Sequence, residues 1–253
     1  MQVAVITGGS SGIGQSAAFE LAKRGAAVVL TYRGGRDRAQ ETVERIEKDG
    51  GTAVALPLDV ARPHTFDTFR SALTDVLRAW DRTSFDVLVS NAGVGQPPVM
   101  FDDTTEELFD QMVDVHLKGP YFLTQTLLPL IADHGSIVFT TSTSALESAR
   151  PTPGYSVYAS VKGAQIVLTR YLAKELSARG IRVNAVAPGV TRTRLGDDAF
   201  AQHPELIPPI AERTALGRIG ESDDLGKVIA FLGSPDAGWI TAQTVEASGG
   251  YEL

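Results

Sequence analysis

The 253-residue chain contains no cysteine. That excludes disulfides, thiolate metal sites and cysteine nucleophiles, while leaving the compartment open. Its four histidines, His64, His116, His134 and His203, are scattered without metal-ligand spacing, so no protein-built metal site is expected. Apolar runs long enough to span a bilayer are lacking. The first residues, "MQVAVIT", lead into a strand-like run and carry no basic segment with an apolar core and cleavage site, so the cytoplasm is the expected compartment. Positive charge is in deficit: the formal net charge is −7, which argues against nucleic acid and anionic membranes as partners. Repeats, low-complexity tracts and linkers are absent too, so residues 1–253 read as one domain.

What is present is an alternation of short apolar runs with longer amphipathic ones. The runs at 3–7, 27–32, 52–58, 86–90, 136–141, 181–187 and 242–247 read as strands, several of them rich in β-branched residues. They lack strict alternation, as strands do when both sheet faces are covered. Helical patterns fall near 12–24, 36–49, 63–80, 104–131, 156–178 and 222–233. The fold class is therefore α/β, a doubly wound, seven-stranded and mostly parallel Rossmann sheet flanked by helices. Two stretches read as loops, 142–157 and 190–215, and are candidates for substrate contact.

Two stretches carry the chemistry. "TGGSSGIG", Thr7 to Gly14, places Gly8, Gly12 and Gly14 between a strand and a helix, with Ser10, Ser11 and Ile13 among them. Glycine permits close approach of a ligand, and the N–H groups of a helix start suit a pyrophosphate. "YASVK" places Tyr158 and Lys162 one helical turn apart, on one face. A lysine cation there would stabilise a phenolate and lower the tyrosine pKa towards neutrality. Alone, such a pair is more often a buried ring beside a snorkelling lysine.

Taken together these motifs resemble the short-chain dehydrogenase/reductase family, and the resemblance runs through nearly the whole chain in the family's order. "LDV" at 58–60 is similar to the family's adenine-contacting pair, here Asp59 and Val60. "NAG" resembles the motif after the fourth strand, here Asn91, Ala92 and Gly93. "NAVAPGVTRT" resembles the segment over the nicotinamide, with Pro188, Gly189, Val190 and Thr193. The resemblance implies interconversion of a ketone and a secondary alcohol, with Tyr158 as acid/base and Lys162 also holding the nicotinamide ribose. It implies a serine after the fifth strand, Ser142, as carbonyl-polarising donor, with Ser144 as a rival. In "DVHLKGPYF", His116 stands where the family has an asparagine whose backbone holds a relay water. Either its carbonyl keeps that role, or its imidazole joins the proton traffic. Pro120 is expected to kink this helix.

Cofactor choice is read at the end of the second strand, where an acid would bind the adenosine ribose hydroxyls. Tyr32 stands there, followed by Arg33, with Arg36 and Arg38 close by. Guanidinium suits a 2′-phosphate, so NADP(H) is expected over NAD(H), with Arg33 as main contact. The chain resembles 3-oxoacyl-[acyl-carrier-protein] reductases in general type. Lys174 stands at one docking position, but "LIADHGS" lacks the basic residue expected at another. The expected partner is a small-molecule carbonyl or alcohol. The apolar helices at 104–131 and 156–178 imply, by resemblance, a homotetramer, or else a dimer. Alternatives are an NAD(H)-dependent alcohol dehydrogenase, a dehydratase or epimerase of the same family, and a non-catalytic dinucleotide-binding regulator.

Overall fold

The first strand, β1 (Val3–Ile6), lies mid-sheet between β2 (Ala27–Tyr32) and β4 (Phe85–Ser90). With β3 (Ala53–Pro57), β5 (Ile131–Thr140), β6 (Arg182–Pro188) and β9 (Thr244–Ala247) they form a parallel sheet in the order β3-β2-β1-β4-β5-β6-β9. The computed structural model describes all residues except 97 and 149, and only the backbone of 195–197.

Successive strand residues point to opposite faces. Val3, Val5 and Val29 enter one apolar layer, against α3 (Phe66–Ala79), α5 (Gly119–Leu127) and α6 (Ser156–Glu175). Ala4, Ile6, Val28 and Leu30 enter the other, against α1 (Gly12–Lys23), α2 (Arg36–Lys48) and α9 (Ser222–Gly233). Both faces are covered, which is why the strands read as unbroken apolar runs. The chain winds from β1 outward to β3, then crosses back to β4 on the other side of β1. Such a reversal opens a crevice at the carboxyl ends of the strands.

The expected helix at 104–131 is not continuous. It is α4 (Glu106–Val113), a π-helical turn (Asp114–Lys118), then α5, and β5 already begins at Ile131. The break lies in the turn before Pro120, because a proline has no N–H for the carbonyl four residues earlier. The stretch 190–215 is not a loop throughout. It holds β7 (Thr191–Arg192), α7 (Leu195–Gln202) and α8 (Ile207–Glu212). Its prolines obscured this, yet they occupy first helical turns, where no N–H is needed. β7 pairs with β8 (Gly220–Glu221), anchoring the segment outside the main sheet. Among the described residues, no helix is long and apolar enough to cross a membrane.

Candidate active site

Asn91 ties three strand ends together. Its side-chain amide donates to the carbonyls of Thr7 (3.1 Å) and Gly8 (3.3 Å), and its Oδ1 accepts from the Thr140 hydroxyl (3.3 Å). The Thr7 hydroxyl accepts from the backbone N–H groups of Asn91 (2.9 Å) and Ala92 (3.0 Å). Each such bond contributes about 1 kcal/mol, and together they hold β1, β4 and β5 in register at the crevice. Gly8 has φ +67°, and a Cβ there would lie 2.9 Å from the Ala92 Cα. At Gly14 a Cβ would lie 2.4 Å from the Gly8 carbonyl oxygen and 2.5 Å from Asn91 Nδ2. The turn closes only without these side chains.

The N-cap of α1, Ser11, makes no side-chain bond to the first helical turn. Ser10, Ser11 and Ile13 are half-buried around this helix start, and a Cβ on Gly12 would stand 3.4 Å from the Thr193 side chain. The glycine turn and the segment after β6 therefore face each other. Gly189 donates its N–H to Ala247 (3.2 Å), and Val190 accepts from Gly220 (2.9 Å), which fixes that segment next to Pro188. A glycine-rich turn at a sheet reversal, leading into a helix N-terminus, fits a dinucleotide phosphate.

Lys162 is buried and donates to the Thr140 carbonyl at 2.8 Å. Its Nζ lies 5.6 Å from the centre of the Tyr158 ring. Ser142 lies near enough to the Tyr158 phenol to pull its pKa down, while Ser144 donates to Ser142 Oγ at 2.9 Å. Thus Ser142 meets the tyrosine and Ser144 stands behind it. Ser142 also caps the 3-10 turn at 143–145, accepting from the Ser144 N–H at 3.2 Å. The expected lowering of the phenol is not a property of the protein alone. Tyr158 is half-buried, yet burial pushes its phenol up to about 12, Ser142 pulling in the opposite sense. Burial also brings the Lys162 ammonium down to about 7. Both groups are thus held towards their neutral forms.

His116 is buried in the π turn, its ring edge-on to Tyr158 with centroids 5.4 Å apart and planes at 86°. Its Nε2 sits 3.0 Å from the Val94 carbonyl. Burial first, and then the Lys162 charge, bring its pKa down to about 3. The imidazole is therefore held in its neutral form near neutral pH. Because the folded pKa is depressed, the unfolded chain takes up a proton first as pH falls below about 6.5. Stability should fall between pH 6.5 and 3, by about 2 kcal/mol at pH 5 from this group. Replacing His116 by asparagine should remove that component. Thermal melts of both proteins at pH 7.5 and pH 5 check it, and equal acid losses would refute it.

At the other end of the crevice Tyr32 is half-buried, and Arg33 is exposed with no ion pair among the described residues. Asp59 accepts from the Ala61 N–H (3.0 Å) and lies 3.3 Å from Arg62, and Val60 is buried. In the 190–215 stretch, Arg192 is paired with Glu221 at 3.1 Å, and the side chain of Leu195 lies outside the described residues. Gly93 is exposed, and a Cβ on it would meet the His116 ring at 2.9 Å.

Sequence reasoning missed two residues. Gln96 is buried and donates to the Gly154 carbonyl at 3.0 Å, joining the segment after β4 to the 142–157 loop. Gln165 is buried behind Lys162 and donates to the His116 carbonyl at 2.6 Å. A signal existed for the second: a lone amide in "KGAQIVLT", three residues beyond Lys162 on the same helix face.

A family model described as enoyl-(acyl carrier protein) reductase matches residues 8–252. The chain is 37% identical over 249 residues to an uncharacterized oxidoreductase of Methylorubrum extorquens, covering 98% of this chain and 97% of that one. It is 35% identical to the 3-oxoacyl-[acyl-carrier-protein] reductase FabG of Staphylococcus epidermidis, with coverage of 98% and 97%. Among solved structures, the promiscuous keto-reductase LugOII superposes with a TM-score of 0.92 at 32% identity, covering 100% of this chain and 98% of that one. The angucycline C-6 ketoreductase LanV with bound NADP superposes with a TM-score of 0.91 at 35% identity, covering 100% and 96%. The chain belongs to the short-chain dehydrogenase/reductase family and is an NAD(P)-dependent oxidoreductase.

Proposed function

We propose that the enzyme reduces a small-molecule ketone to a secondary alcohol with NADP(H), and that Tyr158 delivers the proton. The observation that carries this reading is the Ser142–Tyr158–Lys162 group together with the close-packed glycine turn at the sheet reversal. The bound dinucleotide supplies one thing, a hydride for the carbonyl carbon. Its phosphates would be held at Gly8, Ser10, Ser11, Gly12, Ile13 and Gly14, and its adenine at Asp59 and Val60. Asn91, Ala92 and Gly93 would line its middle, Lys162 its nicotinamide ribose, and Pro188, Gly189, Val190 and Thr193 its carboxamide.

The remaining work is done by side chains. The Ser142 hydroxyl donates to the carbonyl oxygen and orients it. The Tyr158 O–H gives its proton to the same oxygen. The phenolate left behind is stabilised by the Lys162 ammonium, a buried cation with few competing charges around it. The loops at 142–157 and 190–215 would choose the substrate.

Preference for NADP(H) rests on Arg33, on the missing acid at Tyr32, and on NADP-bound neighbours such as LanV. Arg33→Ala should weaken NADPH binding about 10- to 100-fold, the worth of a charge-assisted contact. NADH binding should move less than about 2-fold by the same argument. Fluorescence titration of both cofactors checks this; equal wild-type affinities would overturn the preference. The assembly we propose is a homotetramer, for which Phe109, Tyr121, Phe122, Val167 and Tyr171 offer exposed apolar surface on α4, α5 and α6. Light scattering should return four times the 26.9 kDa chain mass, and a monomer would refute it.

A further inference from the structure

Pro120 leaves the His116 carbonyl without its helical donor, and the chain answers with the π turn at Asp114–Lys118. The freed carbonyl is taken by Gln165 Nε2 at 2.6 Å. The other end of the same amide, Oε1, lies 3.5 Å from Lys162 Nζ, a long contact. Gln165 is 2% exposed and Lys162 4%. An ammonium only donates and a carbonyl only accepts. One amide serves both, its NH2 turned to the main chain and its oxygen to the lysine. A leucine or methionine there would serve neither, and a glutamate would set a carboxylate against the carbonyl.

We propose that Gln165 is a positioning residue that holds the Lys162 ammonium towards Tyr158 and joins it to the His116 carbonyl through a fixed protein amide instead of exchangeable solvent. The inference rests on the proposed reduction with Tyr158 as proton donor. Among the described residues Lys162 has two neutral acceptors, the Thr140 carbonyl and Gln165, and no carboxylate partner. The titratable groups facing this cluster are Tyr158 on α6, Tyr155 just before it and His116 on the π turn. Asp114 and Lys118, also on the π turn, pair with each other at 3.0 Å. On the neighbouring strands, Asp133 pairs with Arg179 and Arg182 bonds the Leu232 carbonyl, away from the cluster. The nearest acids of α4, Glu106, Glu107 and Asp110, are exposed. Removing the Gln165 oxygen withdraws one of the two groups that favour the charged lysine.

The test follows the Lys162 ε-carbon by NMR against pH in the cofactor-free protein, the signal being assigned by its loss in Lys162→Met. In Gln165→Met, which keeps the volume, the lysine midpoint should fall by about half a unit or more. In Gln165→Glu, nearly identical in shape, it should rise, because a carboxylate then faces the ammonium. The pH dependence of kcat for ketone reduction should move in Gln165→Met as well. An unchanged midpoint in both folded variants, in a wild type that turns over ketones, would overturn the role of Gln165 alone. A wild type without ketone turnover at any pH would overturn the functional reading, and with it the catalytic meaning of this residue. If Gln165→Met fails to fold, Gln165→Glu still decides by the sign of its shift.

Discussion

Replacing Tyr158 by phenylalanine should lower kcat for ketone reduction by about 10³-fold, the upper part of what a positioned proton donor contributes. Only the hydroxyl is removed. The ring keeps its edge contact with His116, and Lys162 stays beneath its Thr140 carbonyl. NADPH affinity should therefore change by less than about 3-fold, because the loss belongs to the reacting state and not to binding. Stopped-flow turnover and cofactor titration of the same preparation separate the two. Full activity in Tyr158→Phe would place the proton donor elsewhere. The wild-type pH profile has a sign too. The Lys162 ammonium gives up its proton near pH 7 because it is buried, and the phenolate loses its stabilising charge with it. Reduction should slow as pH rises through that region.

Gly14→Ala should cost stability and cofactor affinity together. The added Cβ meets a main-chain oxygen, Gly8, at 2.4 Å, and the Asn91 amide at 2.5 Å. Neither can yield cheaply: Gly8 sits at positive φ, and Asn91 is held by bonds to β1 and β5. Overpacking of this kind costs about 1 to 3 kcal/mol, or about 2 to 10 °C in Tm for a chain of this size. NADPH binding should weaken at least about 10-fold, because a shift of the Gly8 carbonyl distorts the N–H groups that follow it. Gly163 provides the control. A Cβ there meets nothing within 4 Å and the residue lies inside α6, so Gly163→Ala should be neutral or stabilising by up to about 1 kcal/mol. Calorimetry on the two variants checks the contrast. Equal behaviour would mean that the turn adapts and the glycine at 14 is not sterically required.

The parallel sheet was legible because its strands are short, apolar on both faces and separated by amphipathic helices. That pattern is local, and each strand carries it independently. The glycine turn and the Tyr158–Lys162 pair were legible for the same reason, since their partners lie within one turn or one helix. The helices within 190–215 were not. Proline reads as a breaker in a sequence and is harmless once it occupies a first turn. The interruption at 114–118 was foreshadowed by Pro120, but its form was not, because the donor to the freed His116 carbonyl is Gln165, a side chain 49 positions away.

The sequence by itself determined the family, the sheet and the residue types at the crevice, because these follow from short-range pattern and motif order. Only the tertiary structure decided how they act on one another. It set Ser142 in front of Ser144, placed Gln165 between Lys162 and His116, and made the imidazole neutral. These outcomes depend on burial and on contacts between residues 16 to 49 positions apart. Desolvation and three-dimensional proximity exist only after the helices have packed on the sheet.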